Sequence, residues 1–160
     1  MLILSIDPGY ERLGIAIIEK TQKEKLVFSE CFKTSSKLSH PERLGLIKNR
    51  LDEIIEKFNP EHLAIETLFF SNNQKTALLV SEARGLIIGV CHSAGLEVYE
   101  YGPGEIKVAV TGYGKSDKSA VIKMIPKLIK ITPEKLSLMK HDDEFDAVAV
   151  GLTHCAQVRF

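Results

Sequence analysis

Residues 41–66 limit what this chain can fold into more than any other stretch of it. Leu44, Ile47, Leu51, Ile54, Ile55 and Phe58 recur at helical spacing with charged residues between them, the pattern of an amphipathic helix. Pro41 suits the first helical turn, where no amide hydrogen is needed, and Asn59-Pro60 stops the helix. His62-Leu-Ala-Ile-Glu66 then reads as a short buried strand. A strand, a helix and a strand joined this closely form a right-handed crossover, so the later strand lies parallel to an earlier one in the same sheet.

The earlier strands precede the helix. Residues 2–6 form a buried strand that ends at Asp7, followed by a Pro8-Gly9 turn. Residues 13–18 and 26–33 are two further strands around a polar turn, so the chain opens as an antiparallel meander. Beyond Glu66, a long helix over about residues 73–94 is apolar around much of its circumference, which implies deep packing or burial in a partner. Residues 98–101 give a fifth strand, and the rest is helical, broken by the Gly112-Tyr113-Gly114 loop. Pro126 lies within an apolar helical run and either kinks it or divides it in two. With no internal repeat, linker or low-complexity tract, residues 1–160 read as a single α/β domain: a mixed five-stranded sheet flanked by helices.

Composition removes several classes. The apolar run at the N-terminus is too short for a membrane span and lacks the basic flank of a signal peptide. Cys31, Cys91 and Cys155 are widely spaced and odd in number, as expected of reduced thiols in a cytoplasmic protein without a structural zinc. The formal net charge is zero, but its distribution is uneven. Residues 107–130 hold six lysines and one acid, and the acidic run 141–146 follows. That order can set phosphate attraction beside a cation site, although any one of these lysines alone reads as part of a solvated helix face.

Four acids carry the chemistry. Asp7 and Glu66 end strands expected to be parallel neighbours, which puts them at one sheet edge about 4.8 Å apart. Asp143 and Asp146 are three residues apart on one face of a helix whose small residues Ala147, Ala149 and Gly151 permit close packing on the sheet. Taken singly, a strand-end acid is a turn residue or an ion-pair partner, and Asp143 is a helix cap. Taken together, four crowded carboxylates need a cation, or at least one of them keeps a proton. An all-oxygen set suits magnesium or manganese, and two such ions about 4 Å apart serve phosphoryl displacement.

The same residues carry a family resemblance. Ile6-Asp7-Pro8-Gly9 with Gly14, Ala64-Ile65-Glu66, Ala83-Arg84-Gly85, Gly112-Tyr113-Gly114 and Asp143-x-x-Asp146-Ala147 resemble, in order, the motifs of the RuvC family of bacterial Holliday-junction resolvases. The resemblance covers nearly the whole chain. It implies a ribonuclease-H-like fold, a homodimer, and magnesium-dependent symmetric nicking of four-way DNA junctions in recombination and repair. It also implies branch-migration partners, RuvA and RuvB, and catalytic acids at Asp7, Glu66, Asp143 and Asp146. Some relatives carry histidine at the third position, so His141 and Asp142 are alternatives to Asp143 there.

For DNA contacts, the resemblance points to Phe69 as a wedge at the junction centre and to Lys107 and Lys118 near the scissile phosphate. Lys115, in the Gly-Tyr-Gly loop, is a further backbone contact. On residue type alone Phe69 and Phe70 are core candidates, though an exposed aromatic beside a phosphodiester site can stack on an unpaired base. Arg84 reads as an ion-pair partner of an acid such as Glu82 or as a DNA ligand, and His62, His92 and His154 as structural. Three rival readings stand beside this one: a nucleotide-dependent kinase or ATPase of the actin and sugar-kinase type, an inactive module that binds branched DNA, and a nuclease acting on RNA–DNA hybrids. The first needs a second phosphate loop, which this chain lacks.

Overall fold

The computed structural model describes residues 1–68 and 74–158. Three strands, β1 (Leu2–Asp7), β2 (Arg12–Glu19) and β3 (Lys25–Lys33), form the antiparallel meander. Helix α1 (His40–Phe58) follows, with Ser39 and Glu42 closing a reciprocal capping box and Asn59 ending the helix in the left-handed conformation. Its apolar stripe buries Ile47, Leu51 and Ile54 against the sheet. Strand β4 (His62–Glu66) then pairs parallel to β1, as the crossover requires. Helix α2 (Gln74–Ser93) and strand β5 (Glu97–Tyr101) complete a sheet of order β3-β2-β1-β4-β5.

The remaining elements are α3 (Pro103–Thr111), α4 (Lys118–Leu128), α5 (Pro133–Leu138) and α6 (Asp142–Gln157). Side chains alternate across the strands, so each sheet face has its own core. Leu4, Ile6, Leu63 and Ile65 pack beneath α1 and α2, whereas Ile3, Ala16, Ile18 and Ala64 meet α3, α4 and α6. Pro126 neither divides nor ends its segment early. It lies inside the last turn of α4, where its missing N–H costs a single internal bond.

Helix α6 is buried from Ala147 to Cys155 and is held at its middle and at its C-terminus. A Cβ on Gly151 would come within 2.5 Å of Ile18 Cδ1 and 2.7 Å of Ser5 Oγ, so the bare backbone sets how closely helix and sheet approach. At its C-terminus the Lys20 ammonium donates to the Cys155 carbonyl at 2.7 Å and to the Val158 carbonyl. Cys31, Cys91 and Cys155 are free thiols.

Candidate active site and metal centre

The β1–β4 register runs from Ile3 opposite His62 to Ile6 opposite Ile65, so Asp7 and Glu66 come next in line on adjacent parallel strands. Across the antiparallel side, Asp7 faces Gly14. A Cβ on Gly14 would lie 2.0 Å from the backbone oxygen of Asp143 and 3.2 Å from Asp7 Cβ. That absent methyl lets the first turn of α6 descend onto the sheet beside Asp7. Asp143 is the second residue of α6, and Asp146 follows it by three on the same face. The four acids therefore meet at one sheet edge, at the carboxyl ends of the two parallel strands.

Their electrostatics reflect the crowding. Burial first, then the charges of Glu66, Asp146 and Asp143, push the Asp7 carboxyl up to about 8, with Lys118 opposing. Burial and Asp146 push Glu66 up to about 7 against Lys118 and Lys107. Asp146 is also raised, chiefly by burial, against the hydrogen bond from Lys118. Asp143 acts on Asp7 directly. By contrast, Asp142 lies 3.6 Å from the Lys118 ammonium and its charge acts on Asp146, and His141 is the N-cap of α6 with its ring between Arg12 and Lys33. Of the three neighbours considered for the third acidic position, Asp143 is the one whose charge acts on Asp7.

Cations of the chain already sit on the helix acids. Lys118 Nζ lies 2.7 Å from Asp146 Oδ2, and Arg12 pairs with Asp143, whose Oδ2 also lies 3.6 Å from Cys31 Sγ. For Lys118, burial opposes the charge most, but the Asp146 hydrogen bond and the charges of Asp146, Asp142 and Asp7 together raise its pKa. Among the described residues no three His, Cys, Asp or Glu side chains already close around an ion, an arrangement that like charges favour. The donor set nonetheless fits a hard divalent cation: four carboxylates, three of them raised above their ordinary ionisation range.

Lys107 and Lys118 line a cleft of about 260 Å³ with Glu66 and Asp146, walled on the apolar side by Ile106 and Val121. Lys115 is exposed in the turn between α3 and α4. That turn is tied by hydrogen bonds. The Thr111 hydroxyl meets the Ser116 hydroxyl at 2.6 Å and accepts from the Tyr113 amide at 3.2 Å. Phe69 and Phe70 lie outside the described residues.

Arg84 does not pair with Glu82. Its Nε donates to the Glu66 carbonyl at 3.0 Å and its guanidinium pairs with Glu100, while Glu82 pairs with His40. Residues two apart on a helix point to different sides, which is why Glu82 cannot serve. His62 and His154 are structural, joined at 2.8 Å, with the Tyr101 hydroxyl 2.7 Å from the other His154 nitrogen. Sequence reasoning missed Arg12 and Lys33, which the β2–β3 register places opposite each other at the same sheet edge as Asp7.

Known proteins resemble the chain over nearly its whole length. The family model "Crossover junction endodeoxyribonuclease RuvC" matches residues 3–154. The chain is 41% identical over 161 residues to the crossover junction endodeoxyribonuclease RuvC of Finegoldia magna, covering 100% of this chain and 96% of that one. It is 40% identical to the namesake of Halothermothrix orenii, covering 96% and 92%. The Thermus thermophilus RuvC structure solved with a Holliday junction substrate superposes with a TM-score of 0.87 at 33% identity, over 96% of this chain and 92% of that one.

Proposed function

The chain belongs to the RuvC family of crossover junction endodeoxyribonucleases, with the family's ribonuclease-H-like fold, and we propose that it resolves four-way DNA junctions in recombination and repair by paired symmetric nicks at the carboxylate cluster. The observation that carries this reading is the convergence of Asp7, Glu66, Asp143 and Asp146 on one sheet edge, where burial and then the neighbouring acids push Asp7 up to about 8. Residues 1–160 act as one nuclease domain. Asp7 and Glu66 on the sheet, with Asp143 and Asp146 on α6, hold two magnesium ions, or manganese in their place. Such ions stabilise the attacking and leaving oxygens of an in-line phosphodiester hydrolysis. Lys107 and Lys118 face the non-bridging phosphate oxygens across the cleft, Lys115 holds the backbone nearby, and Phe69 stacks at the junction centre.

A junction with two-fold symmetry calls for two matched sites, which a two-fold homodimer supplies. Helix α2 fits that role. Leu78 is 63% exposed, and Leu79, Leu86, Ile88 and Val90 are only half-buried within one chain. Among the described residues no helix is long and apolar enough to cross a membrane, and we assign the enzyme to the cytoplasm, where RuvA and RuvB are its branch-migration partners. The test is a synthetic four-way junction incubated with the protein and magnesium beside linear duplex and an RNA–DNA hybrid. Paired nicks in the junction alone are expected. Faster cutting of the hybrid, or binding of the junction without cutting, would overturn the reading.

A further inference from the structure

The basic residues assigned to DNA so far all lie to one side of the acids, on α3, α4 and the turn between them. A second basic cluster lies on the other side. Because β2 runs antiparallel to β1, its first residue, Arg12, emerges at the same edge as Asp7, directly opposite Lys33 at the end of β3. Along the sheet edge the order is therefore Lys33, Arg12, Asp7, Glu66, and then the cleft with Lys107 and Lys118.

The ring of His141 lies between the two outer cations. Its Nδ1 is 3.3 Å from Arg12 Nη2 and its Nε2 is 3.1 Å from Lys33 Nζ. Guanidinium and ammonium groups only donate, and a neutral imidazole has one acceptor nitrogen and one N–H. The ring can satisfy one cation and must turn a donor on the other. Nor is it committed to the helix, since the His141 side chain caps no amide of α6. Asp143 accepts from one guanidinium nitrogen of Arg12, leaving the rest of a five-donor fork that is 48% exposed. The cluster has more donors than acceptors, faces solvent, and spans the two strands beside β1, roughly 5 and 10 Å from it.

We propose that Arg12 and Lys33, with His141 between them, form a subsite for a DNA backbone phosphate beside the scissile one, on the β2–β3 flank of the active site. Phosphate oxygens supply the acceptors that the cluster lacks, and the arginine fork matches them geometrically. The DNA strand then crosses the acids held by cations on both flanks. This inference rests on the chain acting on DNA as proposed above.

Binding of a fluorescent synthetic four-way junction, measured in EDTA over a salt series, tests it. Lys33→Gln and Arg12→Gln should each lower the salt slope of log affinity by about one, and the double variant by about two. Junctions carrying a single uncharged methylphosphonate at successive positions near the cut should reveal one position that weakens the wild type and leaves the double variant unaffected. Lys107→Gln, on the opposite flank, is the control. If the wild type does not prefer the junction to linear duplex, the functional reading itself fails. If it does, and Lys107→Gln lowers the slope while Lys33→Gln and Arg12→Gln leave slope and methylphosphonate profile unchanged, the subsite is overturned and Arg12 is simply the ion-pair partner of Asp143. Should Arg12→Gln unfold, Lys33→Gln alone decides.

Discussion

Asp7 is the acid whose ionisation the fold opposes most, and this has a measurable cost. Its carboxyl ordinarily ionises near 3.8 and is pushed up to about 8, first by burial and then by its three acidic neighbours. Unfolding removes both influences. Between pH 4 and 8 the folded chain keeps a proton that the unfolded chain releases, so stability falls as pH rises through that window. Below it both states are protonated and the effect vanishes; above it the effect is constant. The slope is at most about 1.4 kcal/mol per pH unit, which gives an upper bound of roughly 4 kcal/mol at pH 7. Asp7→Asn keeps the shape and removes the ionisation. In EDTA the variant should match the wild type near pH 4 and exceed it increasingly toward pH 8. At about 2–4 °C per kcal/mol for a chain this long, the gap at pH 7 is on the order of 10 °C in Tm. Magnesium should narrow it, because a ligand bound to the folded wild type adds stability that the variant forgoes. A gap that stays constant from pH 5 to 8, or a variant destabilised throughout, would refute the argument and return Asp7 to the role of an ordinary strand-end acid.

Further expectations concern packing, cations, the buried histidine and association. Gly14→Ala drives a methyl to 2.0 Å from the Asp143 carbonyl oxygen; junction cleavage should fall about 100-fold, the scale for an ångström of misplacement, and an unaffected rate would mean that α6 yields freely. Lys118→Ala and Lys107→Ala should slow single-turnover cleavage far more than they weaken junction binding, and equal losses would place them on the DNA backbone only. His154, held down to about 4 by burial and then by the His62 and Lys20 charges, is neutral in the fold but protonates near 6.5 once unfolded. Its own contribution to stability should therefore drop between pH 6.5 and 4 by up to about 3 kcal/mol, against the opposite contribution of Asp7, so in denaturant titrations His154→Gln should gain on the wild type by that amount as the pH falls. Leu78→Glu, on the exposed side of α2, should yield monomers in sedimentation that no longer nick in pairs; paired nicking at full rate by such monomers would remove α2 from the interface.

Much of the frame was readable because its rules act over short stretches of sequence. The stripe of Ile47, Leu51 and Ile54, the stop at Asn59-Pro60 and the crossover rule together put Glu66 beside Asp7 without any knowledge of distant contacts. The small residues of α6 likewise announced a helix lying close on the sheet, and Gly151 shows why. What escaped were partners chosen by tertiary approach. Arg84 sits two residues from Glu82 in sequence but reaches Glu100 on β5. The ties of the Gly-Tyr-Gly turn, from the Thr111 and Ser116 hydroxyls on either side of it, carry no pattern that the sequence displays. The Arg12, Lys33 and His141 cluster depends on where the start of α6 lands, and that is fixed by Gly14, some 130 residues away along the chain.

Counting charges predicts that crowded carboxylates keep at least one proton in the absence of a cation, but not which of them. The fold decides by dividing the four acids between two kinds of support. Asp146 and Asp143 come from the first turns of a helix that lies near the flexible cations Lys118 and Arg12, and each is paired with one. Asp7 and Glu66 come from strand ends that are more deeply desolvated, and theirs are the carboxyls pushed up to about 8 and about 7. A strand end has little freedom to swing toward a lysine, because its backbone is fixed by neighbours on both sides, whereas the helix acids meet side chains long enough to reach them. Any divalent cation taken up by these oxygens therefore competes with protons on the sheet and with ammonium and guanidinium groups on the helix. Raising the pH weakens only the first competitor, so metal uptake by the free protein should strengthen with pH up to about 8 and level off above it, while Lys118→Ala, which also removes the charge that opposes protonation of Asp7 and Glu66, should strengthen uptake more at pH 9 than at pH 6. Metal titrations at pH 6 and pH 9 separate the two contributions; uptake independent of pH in the wild type would mean that the strand acids hold no proton to displace.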